Sequence, residues 1–320
     1  MLSEEEMGSP WCKLLLLLVL FSCLGITWQS HGLDPPTAVS RLTGLFPHLT
    51  FDEGYVDFFG GSNIQKLKNG TYVNISLNKI SGSGFVSRDK YYYGFFSAAI
   101  KLPPSYSAGV VVAFYMSNAD VFPHTHDEID FELLGHEKRK EWVLQTNVYG
   151  NGSVGTGREE KFYLWFDPAE QFHEYSILWN YHHIVFLVDN IPVREVNHSD
   201  AMRAYPSKPM SAFATIWDGS QWATHGGKKP VNYAYGPFMA SLSGLEMEGC
   251  VWNRSSSAPP CPKGGPSERL GLDPVEGPDF AKLLESQRTG MEWVRGRLMF
   301  YSYCSDHARY SVLPSECGSG

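Results

Sequence analysis

The 320 residues carry 26 Lys and Arg against 34 Asp and Glu, and the net charge of −8 gives no attraction to nucleic acid or an acidic membrane surface. Charged residues make up 19% and aromatic residues 14%, with nine Trp and 17 Tyr. That aromatic load suits a cleft for a neutral polysaccharide and equally suits aromatic strands packed in a β-core.

Residues 14–26 form an apolar run after Lys13, with the length of a signal-peptide core and too short for an ordinary bilayer span. The head carries Glu4, Glu5 and Glu6 in place of a basic cluster, and Cys23 and Gly25 make a weak cleavage site. Residues 1–30 therefore read as a cleaved signal peptide or a retained signal anchor. Both send the rest of the chain to the secretory lumen and then outside.

From residue 51 to about 245 the chain consists of short aromatic and β-branched runs broken by Gly, Pro and Asn. Strands are expected at 91–102, 109–115, 142–148, 161–166, 174–179, 183–188 and 211–216, with Asp189-Asn190 supplying a turn. Val185 to Val188 has no alternation and reads as a strand buried on both faces. The fold class is all-β, an antiparallel sandwich or barrel over residues 31–245. A C-terminal extension, 246–320, begins with a Ser-, Pro- and Gly-rich loop at 255–278. A short amphipathic helix is expected at 279–288 on Phe280, Leu283 and Leu284, then a strand near 296–303.

Cys250, Cys261, Cys304 and Cys317 all fall in the last quarter of the chain. An even set in an exported protein reads as two disulfides; of the three pairings, 250–261 with 304–317 closes the shortest loops. No C-x-x-C spacing or His pair accompanies them, so no metal site is expected. Sequons begin at Asn69, Asn74, Asn151, Asn197 and Asn253, a set that suits an exported glycoprotein.

The segment His126-Asp127-Glu128-Ile129-Asp130-Phe131-Glu132-Leu133 alternates acidic and apolar residues. On a strand, Glu128, Asp130 and Glu132 share one face and Ile129, Phe131 and Leu133 the other. Three carboxylates in a row repel, so such a face must be well solvated, paired, or binding something. A solvent-exposed acidic edge and a calcium site fit this pattern. So does glycosidic-bond cleavage with retention, which needs a carboxylate nucleophile and a protonated carboxyl about 5–5.5 Å apart. Glu128 and Glu132 have Cα atoms about 13 Å apart on an extended strand, so their side chains must lean together over Asp130. Wedged between them, a charged Asp130 would raise the pKa of Glu132 and orient Glu128.

Residues 126–135, H-D-E-I-D-F-E-L-L-G, resemble the active-site signature of plant xyloglucan endotransglucosylase/hydrolases in glycoside hydrolase family 16. The resemblance continues through Q-T-N-V at 145–148, Y-L-W-F-D-P at 163–168, F-H-E-Y-S-I-L-W at 172–179 and W-D-G-S-Q-W-A-T at 217–224. It closes on P-S-E-C at 314–317. The family implies a curved β-jelly roll with an open cleft and a disulfide-bonded C-terminal extension. It implies Glu128 as nucleophile, Asp130 as helper and Glu132 as acid/base. It further implies sugar contacts from Gln145, Asn147, Arg158, Glu159, Gln221, Trp222, Gly226 and Arg309, with Trp217 and Trp222 stacking on sugar rings. Core packing is the alternative for Trp217, and tying down the extension is the alternative for Arg309. His136 stands where many relatives carry a glycosylated Asn, and Gly157 where an acidic residue is usual. The resemblance implies transfer of a xyloglucan fragment to another xyloglucan chain in the cell wall and apoplast, by a monomer without cofactor. A predominant hydrolase and a catalytically silent, lectin-like wall protein are the competing readings.

Overall fold

The computed structural model describes residues 35, 36, 39–104, 106–199, 202, 204–253, 275, 277 and 280–318. Two antiparallel sheets pack face to face. The back sheet holds β1 (His48–Leu49), β3 (Ile64–Leu67), β4 (Tyr72–Leu77), β6 (Tyr91–Lys101), β11 (His173–Trp179), β12 (His183–Val188), β13 (Ile191–Asn197) and β15 (Phe238–Val251). The cleft sheet runs in the order β16 (Met299–Ser302), β10 (Glu160–Tyr163), β9 (Val143–Tyr149), β8 (Glu128–Leu134), β7 (Val110–Ser117), β14 (Ser211–Asp218), β5 (Ser83–Ser87), β2 (Tyr55–Phe59). In this sheet β7 to β10 follow one another along the chain, while β16, β14, β5 and β2 join them from more distant segments. This is the expected all-β sandwich.

The alternation of β8 works as the strand period requires. Ile129, Phe131 and Leu133 are buried between the sheets, and Phe131 meets the rings of Phe186 and Tyr175 edge-on at 5.1 and 5.9 Å. All six residues of β12 are buried, as its unbroken apolar run demands. Asp189 and Asn190 join β12 to β13 with φ of 48° and 66°, the double left-handed turn that matches strand twist. Asn190 serves a second purpose, because its Oδ1 accepts from the Leu42 and Thr43 N–H groups at 2.7 and 2.9 Å.

The C-terminal part departs from expectation. The helix, α1, spans Glu285–Arg297 and begins after the apolar triplet instead of containing it. Leu283 is buried in a side cluster with Leu178 and Leu187, and the Phe280 carbonyl accepts from Asn180 Nδ2 at 2.9 Å. Those residues sit in a turn and bends fixed by tertiary contacts, and Gln287 Oε1 caps the helix start by accepting from Leu284 N–H at 2.9 Å. The boundary expected after residue 245 falls inside β15, whose Glu246 to Gly249 still pair with β6. Nor is the extension a detached module. β16 completes the cleft sheet beside β10, and Val294 and Leu298 enter the main core.

Three successive residues at the start of β10 each bind an opposite charge from the extension. Arg158 Nε meets Glu316 at 2.5 Å, Glu159 takes Arg309 at 2.7 Å, and Glu160 takes both Arg295 Nη atoms at 2.6 and 2.9 Å. Glu160 is buried and also faces Arg194 at 3.6 Å. Burial alone would push its carboxyl up, but the two arginines hold it below the usual range. Cys304 and Cys317 are bonded as expected, with Cα atoms 5.3 Å apart. Cys250 is disulfide-bonded too; Cys261, its expected partner, lies outside the described residues, as does the 14–26 apolar run. Among the described residues no helix is long and apolar enough to cross a membrane.

The sequons divide by exposure. Asn69, Asn151, Asn197 and Asn253 are exposed, but Asn74 is 6% exposed, with its amide between Gln65 and the hydroxyl of Ser241. The Asn74 amide is thus engaged within the sheet.

Arg295→Ala removes one partner of a buried carboxylate and leaves the other arginine at longer range. It is expected to cost about 3 kcal/mol, read as a lower urea midpoint at pH 7. The loss should shrink as pH falls through the depressed Glu160 pKa, because protonated Glu160 no longer needs the pair.

Candidate active site

Glu128, Asp130 and Glu132 sit near the middle of the cleft sheet. Across β7 they face Ser117, Tyr115 and Ala113, and across β9 they face Tyr149, Asn147 and Gln145. All three carboxyls line one cleft of about 560 Å³. Trp217 and Trp222 form one part of its wall, and Tyr301 and Arg309 from the extension another. The acidic row is neither a solvated edge nor an open stripe, since β8 is flanked by strands on both sides and Asp130 is 6% exposed.

The three carboxyls are not equivalent. Burial, then the charges of Glu128, Glu132 and Glu159, drives Asp130 well above the ordinary aspartate value, with Arg194 opposing. Burial also raises Glu132, to about 7; the charges of Glu128 and Glu159 add to it, and Gln145 and Lys161 oppose. Gln145 Nε2 donates to Glu132 Oε2 at 2.5 Å. Glu128 is raised by burial but is eased back by the Ser117 hydroxyl and by His126, whose Nε2 lies 4.0 Å away. Glu128 is therefore the group of the three best provided to ionise, and Glu132 holds its proton near neutral pH. Burial raises Asp130 as well as Glu132, and the charges that raise Glu132 further are those of Glu128 and Glu159.

The remaining expected sugar contacts divide. Gln145, Asn147, Glu159, Trp217, Trp222 and Arg309 line the cleft. Trp217 is half-buried, not a core residue, and its ring centroid lies 5.8 Å from that of Trp222. Arg309 has both roles considered for it, because it lines the cleft and pairs with Glu159. Arg158 does not belong to the cleft: it is buried, and its guanidinium is taken by Glu316 and Ser153 Oγ. Gln221 is exposed outside it, and Gly226 lines a neighbouring hollow of about 640 Å³ with His136 and Tyr163.

Sequence reasoning missed the frame of the site. Asp127 has the parity of Ile129, so it points away from the cleft and is fully buried. It accepts from the N–H groups of Asn151, Ser207 and Lys208 and pairs with Lys208 Nζ at 2.8 Å. A charged residue at an inward position is itself a signal, because a buried carboxylate must find partners. Tyr115, Tyr149, Lys161 and Tyr301 also line the cleft. Tyr149 and Lys161 are legible only through register, opposite Glu128 and Gln145.

Residues 52–235 match the model of Glycosyl hydrolases family 16, and residues 275–317 match Xyloglucan endo-transglycosylase (XET) C-terminus. The chain is 48% identical over 306 residues to "Probable xyloglucan endotransglucosylase/hydrolase protein 27" of Arabidopsis thaliana, covering 95% of this chain and 86% of that one. It belongs to the xyloglucan endotransglucosylase/hydrolase family. A further relative from the same plant, "Probable xyloglucan endotransglucosylase/hydrolase protein 28", is 50% identical over 85% of this chain and 80% of its own length. Among solved structures, the endo-beta-1,3-glucanase from Pyrococcus furiosus superposes with a TM-score of 0.50 at 20% identity, covering 63% of this chain and 90% of that one. That last likeness speaks to the sandwich fold alone.

The environment of Glu132 predicts opposite shifts for two variants in the pH profile of cleavage. The acid form of Glu132 is lost as pH rises through about 7. Glu159→Gln removes a charge that raises this pKa, so the alkaline limb should move to lower pH. Gln145→Ala removes a bond that lowers it, so the limb should move to higher pH. A profile unmoved in both would contradict the electrostatic assignment.

Proposed function

We propose that the protein cuts the β-1,4-glucan backbone of xyloglucan with retention and passes the fragment to another xyloglucan chain, remodelling the plant cell wall. The observation that carries this reading is a row of three carboxyls on one strand, each with different neighbours, lining one open cleft. Retaining cleavage needs one ionised and one protonated carboxyl flanking the bond. Glu128 attacks the anomeric carbon and forms the glycosyl-enzyme, while Glu132 gives its proton to the departing glycosidic oxygen. In the second half-reaction Glu132, now a carboxylate, takes a proton from an incoming sugar hydroxyl, which displaces Glu128 and restores both groups. Asp130, raised well above the ordinary aspartate value by burial and by the charges beside it, stands between them.

Transfer in preference to hydrolysis requires that a sugar hydroxyl be positioned well enough to beat concentrated water. Positioning of this kind is worth several kcal/mol. With Arg158 committed to Glu316, the polar groups available to an acceptor are Gln145, Asn147 and Arg309, with Tyr301 as an aromatic surface beside them. Export to the wall is supported by the N-terminal apolar run, the Cys304–Cys317 bond and the exposed sequons at Asn69, Asn151, Asn197 and Asn253. Retention of the apolar run as an anchor would instead hold the enzyme at the plasma membrane facing the wall.

Glu128→Ala should fold as the parent does and lose cleavage of xyloglucan; near-parental turnover would remove Glu128 as nucleophile. With the parent enzyme, added xyloglucan oligosaccharides should appear at the ends of new chains by mass spectrometry. If the products are only shorter chains with new reducing ends, whatever the acceptor concentration, the enzyme is a hydrolase.

A further inference from the structure

Thr224 sits under the wall of the cleft, and its hydroxyl donates to the Gly135 carbonyl at 2.6 Å while accepting from the Gly109 N–H at 2.6 Å. That bond places the residues following each partner, His225 and His136, side by side. Their rings lie 4.8 Å apart, nearly perpendicular at 72°. Among the described residues, His136, Glu137 and His225 each bring one donor atom within 4.8 Å of the others.

The details resemble a prepared cation site more than a set of surface ion pairs. Glu137 Oε2 stands 3.3 Å from His136 Nδ1 and 3.1 Å from His225 Nε2. Tetrahedral zinc with bonds near 2.0–2.1 Å separates its ligand atoms by about 3.4 Å. Glu141 Oε2 is 2.7 Å from the same His136 Nδ1, a fourth donor within reach. His136 Nδ1 is buried and makes no hydrogen bond, because both carboxylate oxygens approach it off the axis that a hydrogen bond needs. The outer carboxylate oxygens are held elsewhere: Glu137 Oε1 by Lys229 at 3.0 Å and Glu141 Oε1 by Lys138 at 2.9 Å. Both Oε2 atoms therefore turn toward the histidines, as outer-shell partners orient metal ligands. The two lysines also offset carboxylate charge, which favours a site of moderate affinity. His225 is half exposed and leaves an entry path, and it takes a left-handed φ of 51° just before Gly226 and Gly227 at 66° and 85°.

We propose that His136, Glu137 and His225, with Glu141 beside them, bind a divalent first-row transition metal of the zinc class. Imidazole with carboxylate is a donor set for zinc, copper or nickel, whereas calcium takes oxygen ligands alone. The ion would tie the turn that carries Trp222 to the end of the catalytic strand. It is separate from Glu128, Asp130 and Glu132, so this proposal and the glucan-cleaving reading stand or fall independently.

The test is calorimetric titration of Zn²⁺ into the full chain after EDTA treatment and dialysis at pH 7.5, with melting curves alongside. One ion per chain should bind, and about a hundredfold excess over the dissociation constant should raise Tm by roughly 5 °C. His136→Ala and His225→Ala should each weaken binding about tenfold or more, and Ca²⁺ should give no shift. His225 is exposed enough that its variant should fold, and parental cleavage in EDTA would verify that. The site is overturned if Zn²⁺ fails to bind the parent, or if binding survives unchanged in either histidine variant.

Discussion

Burying three neighbouring carboxyls on one face of a strand forbids all three from ionising together, and the rest of the site follows from that restriction. Each negative charge removed from water in this cleft costs more when a second stands beside it. The protein meets the restriction unevenly. Burial raises Asp130, the most buried of the row, well above the ordinary aspartate value, and raises Glu132 to about 7. Glu128 receives the Ser117 hydroxyl and the nearby His126 ring, and so becomes the place where charge is best tolerated. The difference between the two glutamates is a consequence of neighbours, since their side chains are chemically identical.

The restriction also explains how much framework surrounds so short a strand. Its inner face is clamped by Phe131 against Phe186 and Tyr175, and its start is pinned by Asp127 through three backbone N–H groups and Lys208. A row of mutually repelling groups needs rigid support to stay in register, and slippage by one residue would turn the carboxyls inward.

The C-terminal extension belongs to this economy of charge. Arg158, Glu159 and Glu160 lie in an unbroken run, and each is met by an opposite charge from residues 295–316. Two of the pairs act as structure, because Arg158 and Glu160 are buried. The middle pair opens on the cleft, where Glu159 reaches Glu132 electrostatically and Arg309 forms wall. A segment that looks peripheral in sequence thereby supplies both a strand of the cleft sheet and part of the cleft wall.

Local pattern was enough where the strand period shows plainly, though it left β2 to β5, β13 and β15 unnamed. The alternation at 126–133 gave the carboxylate face, the unbroken run at 185–188 the buried strand, and Asp189-Asn190 the turn. The family signature was legible for the same reason, because its residues are contiguous. Period two acts over a few residues, so a single sequence displays it directly. What only the tertiary structure decided involves partners distant along the chain. Arg158 turned from the cleft to Glu316, 158 residues away, because a buried guanidinium takes the nearest carboxylate that can satisfy it. Asn74 came beside Ser241 across β4 and β15, and the apolar triplet at 280–284 was held outside the helix by Asn180 and a side cluster. The pairing of His136 with His225 across the Thr224–Gly135 bond has no trace in local spacing. Those outcomes rest on which surfaces the two packed sheets bring together, and the pattern along any one strand carries no record of its neighbours.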